Sequence, residues 1–208
     1  SSDLIDARMP GAETFTSLLA LACPAQDIAG RRRVLFIACG ESGLLAIDTT
    51  QPNTPLISGI LPAEPGISFN AITLADKRAY ISTDSGFLVA DVSRPASMGK
   101  LADNTGESQA IGAAGKMLYT VSGGEITIYD IRATAEPLRL RLYSGVQHPA
   151  RLTVSGNLLL MANAADGPDL VILNIADPAR IHEVENIGET GQTKGAVVTG
   201  KGVWLARG

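Results

Sequence analysis

The feature that most constrains this chain is a motif that returns about every 42 residues. A short apolar run closes on an aspartate or asparagine in "LLAID" at Asp48, "FLVAD" at Asp91, "ITIYD" at Asp130 and "LVILN" at Asn174, with spacings of 43, 39 and 44 residues. A further copy precedes these. "DLIDARMPGAETFTSLL" aligns without a gap on "LAIDTTQPNTPLISGIL", which sets Asp6 over Asp48 and Pro10 over Pro52 at a spacing of 42. Self-similarity at such a period signals a stacked or radial array of one supersecondary unit, each copy too small to bury its own apolar faces.

Upstream of each anchor lies a second recurring piece: a strand, a tight polar turn and a strand with a large apolar residue. It reads "ITLADKRAYIST", "IGAAGKMLYTVS", "LTVSGNLLLMAN" and "AVVTGKGVWLAR", and in the first copy "DIAGRRRVLFIA", taken with an extra residue or two in its turn. Asp76-Lys77, Gly115-Lys116, Gly156-Asn157 and Gly200-Lys201 occupy the turns, where Gly, Asp and Asn supply the backbone angles of short hairpins. The β-branched, apolar character of "ITIYD" and "LVILN" and their short length favour strands over helices. Each unit thus reads as four antiparallel strands. "RLRLY" at 139–143 alternates strictly and is expected to be an outer strand with one wet face.

Four strands per unit of roughly 42 residues predicts an all-β chain, a β-propeller in which radial repetition protects strand edges. The chain is out of phase with its own repeat, starting at a third strand and ending after a second one. The expectation is therefore a five-bladed propeller of four-stranded antiparallel blades, closed by a composite blade from both termini. In this reading residues 1–208 form a single domain, with blade halves 1–26 and 195–208 joined and full blades at about 27–61, 67–104, 107–145 and 150–188.

The stretches "LLAIDTTQPNTP", "FLVADVSRPASM" and "LVILNIADPARI" resemble the LVIVD-repeat family of bacterial and archaeal surface proteins. Asn174 in place of aspartate and "DIRATAEP", with its proline displaced, depart from the pattern. The resemblance implies a propeller on an exported protein, at the cell surface, extracellular or periplasmic, and implies no reaction.

Composition narrows the functional classes. The 17 basic residues against 21 acidic ones give a net charge of −4, and without a basic block nucleic-acid binding through phosphate neutralisation is not expected. The one basic run, Arg31-Arg32-Arg33, reads as a solvated hairpin tip. No run approaches the roughly 18 apolar residues of a membrane helix, so membrane association is expected only through a partner or anchor. The two cysteines, Cys23 and Cys39, fall on one face of a propeller. They read either as a bridge or as two independent buried thiols.

Asp48, Asp91 and Asp130 sit where a strand gives way to a turn, so their carboxylates can accept from amides two or three residues on, with Pro52, Pro95 and Pro178 fixing the turn. The competing reading, a ring of metal ligands, has these side chains converge. His182 reads as a surface residue, and His148 lies near one channel mouth. Neither belongs to a ligand-spaced cluster, and no nucleophile elbow or phosphate loop is present. No catalytic residue, cofactor or metal is expected. Any contact site falls where inter-blade loops converge. Those loops carry Gln26, Asp27, Glu107 and Thr193 beside the contact candidates Phe69, Asn70, Gln109, His148, Arg151 and Lys194. Phe69, in the long connection 62–70, either plugs the channel or anchors a partner. The expected function is a non-catalytic protein-interaction or scaffold module of an exported or membrane-associated assembly. The alternative is a small-molecule-binding protein or hydrolase using the channel mouth.

Overall fold

The structure is a computed structural model that describes residues 2–6, 14–106, 108–132, 136–144, 149–163, 168–188, 193–199 and 202–207. Among these, strand follows strand with one short 3-10 turn, Pro95–Ser97. A two-stranded sheet comes first, β1 (Ser2–Asp6) with β2 (Thr14–Leu19). Blade 1 follows as β3 (Asp27–Arg31), β4 (Val34–Ala38), β5 (Leu44–Asp48) and β6 (Leu56–Leu61). Blade 2 is β7 (Phe69–Ala75), β8 (Arg78–Thr83), β9 (Gly86–Asp91) and β10 (Gly99–Thr105). Blade 3 is β11 (Ala110–Ala114), β12 (Met117–Ser122), β13 (Glu125–Asp130) and β14 (Leu138–Ser144). Blade 4 is β15 (Pro149–Ser155), β16 (Leu158–Asn163), β17 (Leu170–Asn174) and β18 (His182–Ile187). A second two-stranded sheet, β19 (Thr193–Thr199) with β20 (Gly202–Arg207), ends the chain.

Within every blade the strands pair antiparallel in sequence order. Each ladder from the third to the fourth strand carries one register shift, as between Ala46 and Ile47 or Ile128 and Tyr129. The bulge strengthens local twist and turns the outer strand relative to its neighbour. The first strands β3, β7, β11, β15 and β19 touch one another in that order, which makes them the inner wall. In blades 1 and 2 the strands β5, β8 and β9 are buried on both faces, which accounts for the apolar runs in β5 and β9.

Those two faces build the core in layers between blades. Phe36 and Leu44 of blade 1 meet Ile81 and Leu88 of blade 2. Tyr80 and Val89 on the opposite face of blade 2 meet Ile111 and Leu118 of blade 3. Ile126 and Ile128 meet Leu159 and Met161 of blade 4. Side chains alternate sides along a strand, so one run feeds two layers. Gly59 lies so close to the Pro95 carbonyl of blade 2 that a Cβ there would overlap it, which leaves that contact to glycine alone.

Three expectations are corrected here. Among the described residues the fifth, composite blade is not formed: these make four four-stranded blades and two separate two-stranded sheets. The described apolar side chains at each end instead pack on the adjacent blade. Leu19 and Leu21 cover Ile37 and Leu45 of blade 1, and Ala196, Val198 and Leu205 cover Leu160 and Ile172 of blade 4. Among the described residues β20 pairs only with β19, and Trp204 is 64% exposed. The first hairpin also has no extra residue. Arg32 and Arg33 fill a two-residue turn, with Arg32 at φ 58° where the other blades have Asp76 at 51°, Gly115 at 55° and Gly156 at 57°. Finally, β14 is exposed on both faces apart from half-buried Tyr143, because an outermost strand has no further layer to cover it.

Candidate functional site

The repeat motif resolves into a turn with a fixed hydrogen-bond pattern. The amide of Thr50 donates to Asp48 Oδ1 at 2.7 Å, Ser93 to Asp91 at 2.8 Å, Arg132 to Asp130 at 2.9 Å and Ala176 to Asn174 at 2.9 Å. The intervening amide returns to the hairpin turn of its own blade: Thr49 to the Arg33 carbonyl, Val92 to Lys77, Ile131 to Lys116 and Ile175 to Asn157, all between 2.8 and 3.0 Å. Asparagine serves as well as aspartate because only one side-chain oxygen is used. The Thr50 hydroxyl, the Ser93 amide and the Arg132 guanidinium are the main causes that hold the three aspartates below the usual carboxylate range. Each aspartate engages its own turn. Among the described residues no group of three or more His, Cys, Asp or Glu is placed to hold a metal ion.

Arginines tie these turns to the next blade. Arg31 donates to the carbonyls of Asp76 and Val92, Arg78 to that of Ile131 at 3.4 Å, and Arg141 to that of Ala179. Val92 and Ile131 follow the repeat aspartates directly, so Arg31 and Arg78 reach equivalent atoms one blade on.

At the inner wall, Asp27 Oδ2 accepts from the Ile72 amide at 3.0 Å, and its Oδ1 accepts from Arg151 Nη1 at 2.8 Å. Arg151 also donates to the Gln26 carbonyl at 3.2 Å. Gln26, Asp27 and Arg151, predicted at one mouth, are thus brought together, but as partners of one another. Asn70 is likewise engaged, accepting from Ser68 and donating to Asp84, both at 2.8 Å. Gln109 is exposed and Thr193 buried. Phe69 is 2% exposed and packs with the layer between blades 1 and 2, so of its two expected roles surface anchor is ruled out. It lines a cleft of about 430 Å3 beside Leu61, Ile67 and Phe87, where Lys100 bridges Glu64 and Asp103. Glu107, His148 and the side chain of Lys194 lie outside the described residues. Cys23 and Cys39 form a disulfide with a Cα separation of 5.6 Å.

The opposite face, where the hairpin turns cluster, holds a larger cavity of about 810 Å3 shared by blades 1, 2 and 3. Arg32, Lys77 and Lys116 stand at its rim, and Val34, Ala75 and Pro95 help to line it. From sequence the arginine run reads as a solvated hairpin tip. The missed signal is partly periodic: Lys77 and Lys116 share the second turn position, while Arg32, at the first position of its own turn, supplies the cation of blade 1.

The LVIVD repeat model matches residues 70–101, which is nearly all of blade 2. No curated protein matches the chain in sequence. Among solved structures, a functionally unknown protein from Desulfotomaculum acetoxidans superposes with a TM-score of 0.69 at 17% identity, over 93% of this chain and 66% of that one. The periplasmic gluconolactonase of Pseudomonas aeruginosa superposes with a TM-score of 0.71 at 15% identity, over 95% and 67%. The computationally designed Ika8 protein gives 0.59 at 13% identity, over 88% and 55%. The chain therefore spans from about half to two thirds of the length of these proteins, and at such identities the likeness is one of fold. With the family match lying on one blade of four that share an inner wall, the chain carries an LVIVD repeat within a β-propeller arrangement.

Proposed function

We propose that this chain is a non-catalytic interaction module, a rigid disc that docks a protein partner in an exported or membrane-associated assembly. The observation that carries the reading is the outer strand β14. Leu138, Leu140 and Leu142 are 64%, 48% and 40% exposed and alternate with Arg139 and Arg141 along the last strand of its sheet. An edge strand carrying exposed apolar side chains is a template for an added partner strand, in which main-chain hydrogen bonds give affinity and side chains give specificity; the register shift beside Leu140 sets Leu138 and Leu142 on opposite faces of this edge. The Cys23–Cys39 bridge supports an oxidising compartment, and the periplasmic description of the Pseudomonas aeruginosa propeller points the same way. The alternative, a ligand-binding protein or hydrolase at the loop-side mouth, has against it that the Asp27, Asn70 and Arg151 side chains bond to groups of the chain itself.

Affinity purification from the native source, run in parallel with wild type and with the Leu138→Asp/Leu140→Asp variant, tests the reading. A partner recovered with wild type and lost with the variant supports it. Equal recovery with both would overturn it.

A further inference from the structure

The hairpin-turn face presents a second surface, unrelated to the β14 edge. Its cavity has the size of a small-molecule site, for which about 300 to 1,000 Å3 is usual, and its charge is one-sided. Among the six cations that line it, Arg31 and Arg78 are tied to carbonyls of the next blade, and Arg132 is paired with Asp130. Arg32, Lys77 and Lys116 are exposed and make no hydrogen bond or close ion pair among the described residues, although Lys77 and Lys116 lie near enough to Asp91 and Asp130 to help lower those carboxyls. Asp76 is the acid of the lining, while Asp91 and Asp130 are turned into their own loops.

Two independent features point to one ligand chemistry. Three cations on three adjacent blades converge on a concave opening, which concentrates positive potential where walls of low dielectric focus it. Below them the wall is apolar, formed by Val34, Ala75, Pro95 and Ile131. A fully hydrated inorganic anion gains nothing from that wall, and a neutral apolar molecule gains nothing from the rim. A nucleic-acid backbone would call for a basic stripe along an open surface, whereas these charges surround a cavity. We propose that this cavity binds a small amphipathic organic anion, with its charged group held by Arg32, Lys77 and Lys116 and its apolar body against Val34, Ala75 and Pro95.

Calorimetric titration of the whole chain with phenyl phosphate, and separately with inorganic phosphate, tests the proposal. Phenyl phosphate is expected to bind saturably at one site, at least about tenfold more tightly than inorganic phosphate, and to weaken as ionic strength rises. The Lys77→Gln/Lys116→Gln variant is expected to lose at least about tenfold in affinity, whereas Arg139→Gln on the outer rim leaves it unchanged. Protection of Lys77 and Lys116 from reductive methylation by phenyl phosphate, read by mass spectrometry on wild type, needs no variant. Absence of saturable binding, equal affinity for the two phosphates, unchanged affinity in the double variant or unprotected lysines would each overturn the proposal.

Discussion

Arg151 on β15 and Asp27 on β3 occupy the same position of two different repeats, and their guanidinium and carboxylate meet at 2.8 Å. The pair ties the fourth blade directly to the first. The same position is Ala71, Ala110 and Gly195 in the other units, small residues that leave room at the wall for the long arginine. The carboxylate is 11% exposed and the guanidinium 41%, so the pair is half shielded from solvent. Asp27→Ala strips both the Ile72 amide and Arg151 of their acceptor and is expected to destabilise by about 2 to 3 kcal/mol. Arg151→Ala leaves the amide satisfied and is expected to cost about 1 to 2 kcal/mol. Urea unfolding of both singles and the double gives the coupling. Strict additivity would show that the contact contributes nothing.

The turn aspartates predict an acid sensitivity with a definite sign. A carboxyl whose folded pKa is depressed contributes stability above its unfolded value, about 3.9. That contribution is lost as pH falls through the lower folded value. Asp48, Asp91 and Asp130 are all depressed, so melting temperature should fall from about pH 4 downward. Asn174 shows the neutral equivalent within the same chain, accepting from Ala176 at 2.9 Å. Asp91→Asn should therefore keep the turn at neutral pH and flatten the acid limb, whereas Asp91→Ala should lower stability at neutral pH.

The Cys23–Cys39 bridge closes a loop of sequence separation 16, and a loop of that size is worth about 3 kcal/mol by chain entropy. A matched Cys23→Ser/Cys39→Ser pair should melt lower by an amount that dithiothreitol reproduces in wild type. Unfolding the unreduced protein should expose no thiol to Ellman's reagent.

Gly59 and Gly99 form a matched pair of tests. A Cβ at Gly59 overlaps the Pro95 carbonyl, while at Gly99 it meets nothing within 4 Å. Gly59→Ala should force blades 1 and 2 apart at a cost of about 1 to 3 kcal/mol, and Gly99→Ala should be close to neutral. Equal melting temperatures would refute the tight approach.

Trp204 is the only tryptophan and is 64% exposed on β20. Its emission should resemble that of tryptophan in water and be strongly quenched by acrylamide. A blue-shifted, protected emission would mean that β20 is covered.

Much of the blade was legible in the sequence because its determinants are local. Apolar runs buried on both faces, hairpin turns with left-handed residues and the carboxylate or amide that caps each loop are all set within a few residues, and they recur with the repeat. The disulfide and the Asp27–Arg151 pair join residues that periodicity places on one face or wall but does not bring into contact. Closure is another matter. Whether the hairpin of β1 and β2 completes the sheet of β19 and β20 depends on how apolar side chains distribute between neighbours: Leu19 and Leu21 pack on blade 1, and Ala196, Val198 and Leu205 pack on blade 4. The fate of Phe69 was undecided for the same kind of reason: a loop aromatic reads alike whether it faces a partner or the next blade, and only the layer between blades 1 and 2 buries it. The basic cavity is only half written in the repeat: Lys77 and Lys116 share one turn position, but their convergence belongs to tertiary structure. Arg32, Lys77 and Lys116 are three separate turn residues in the chain, and radial stacking alone sets their charges around a common opening.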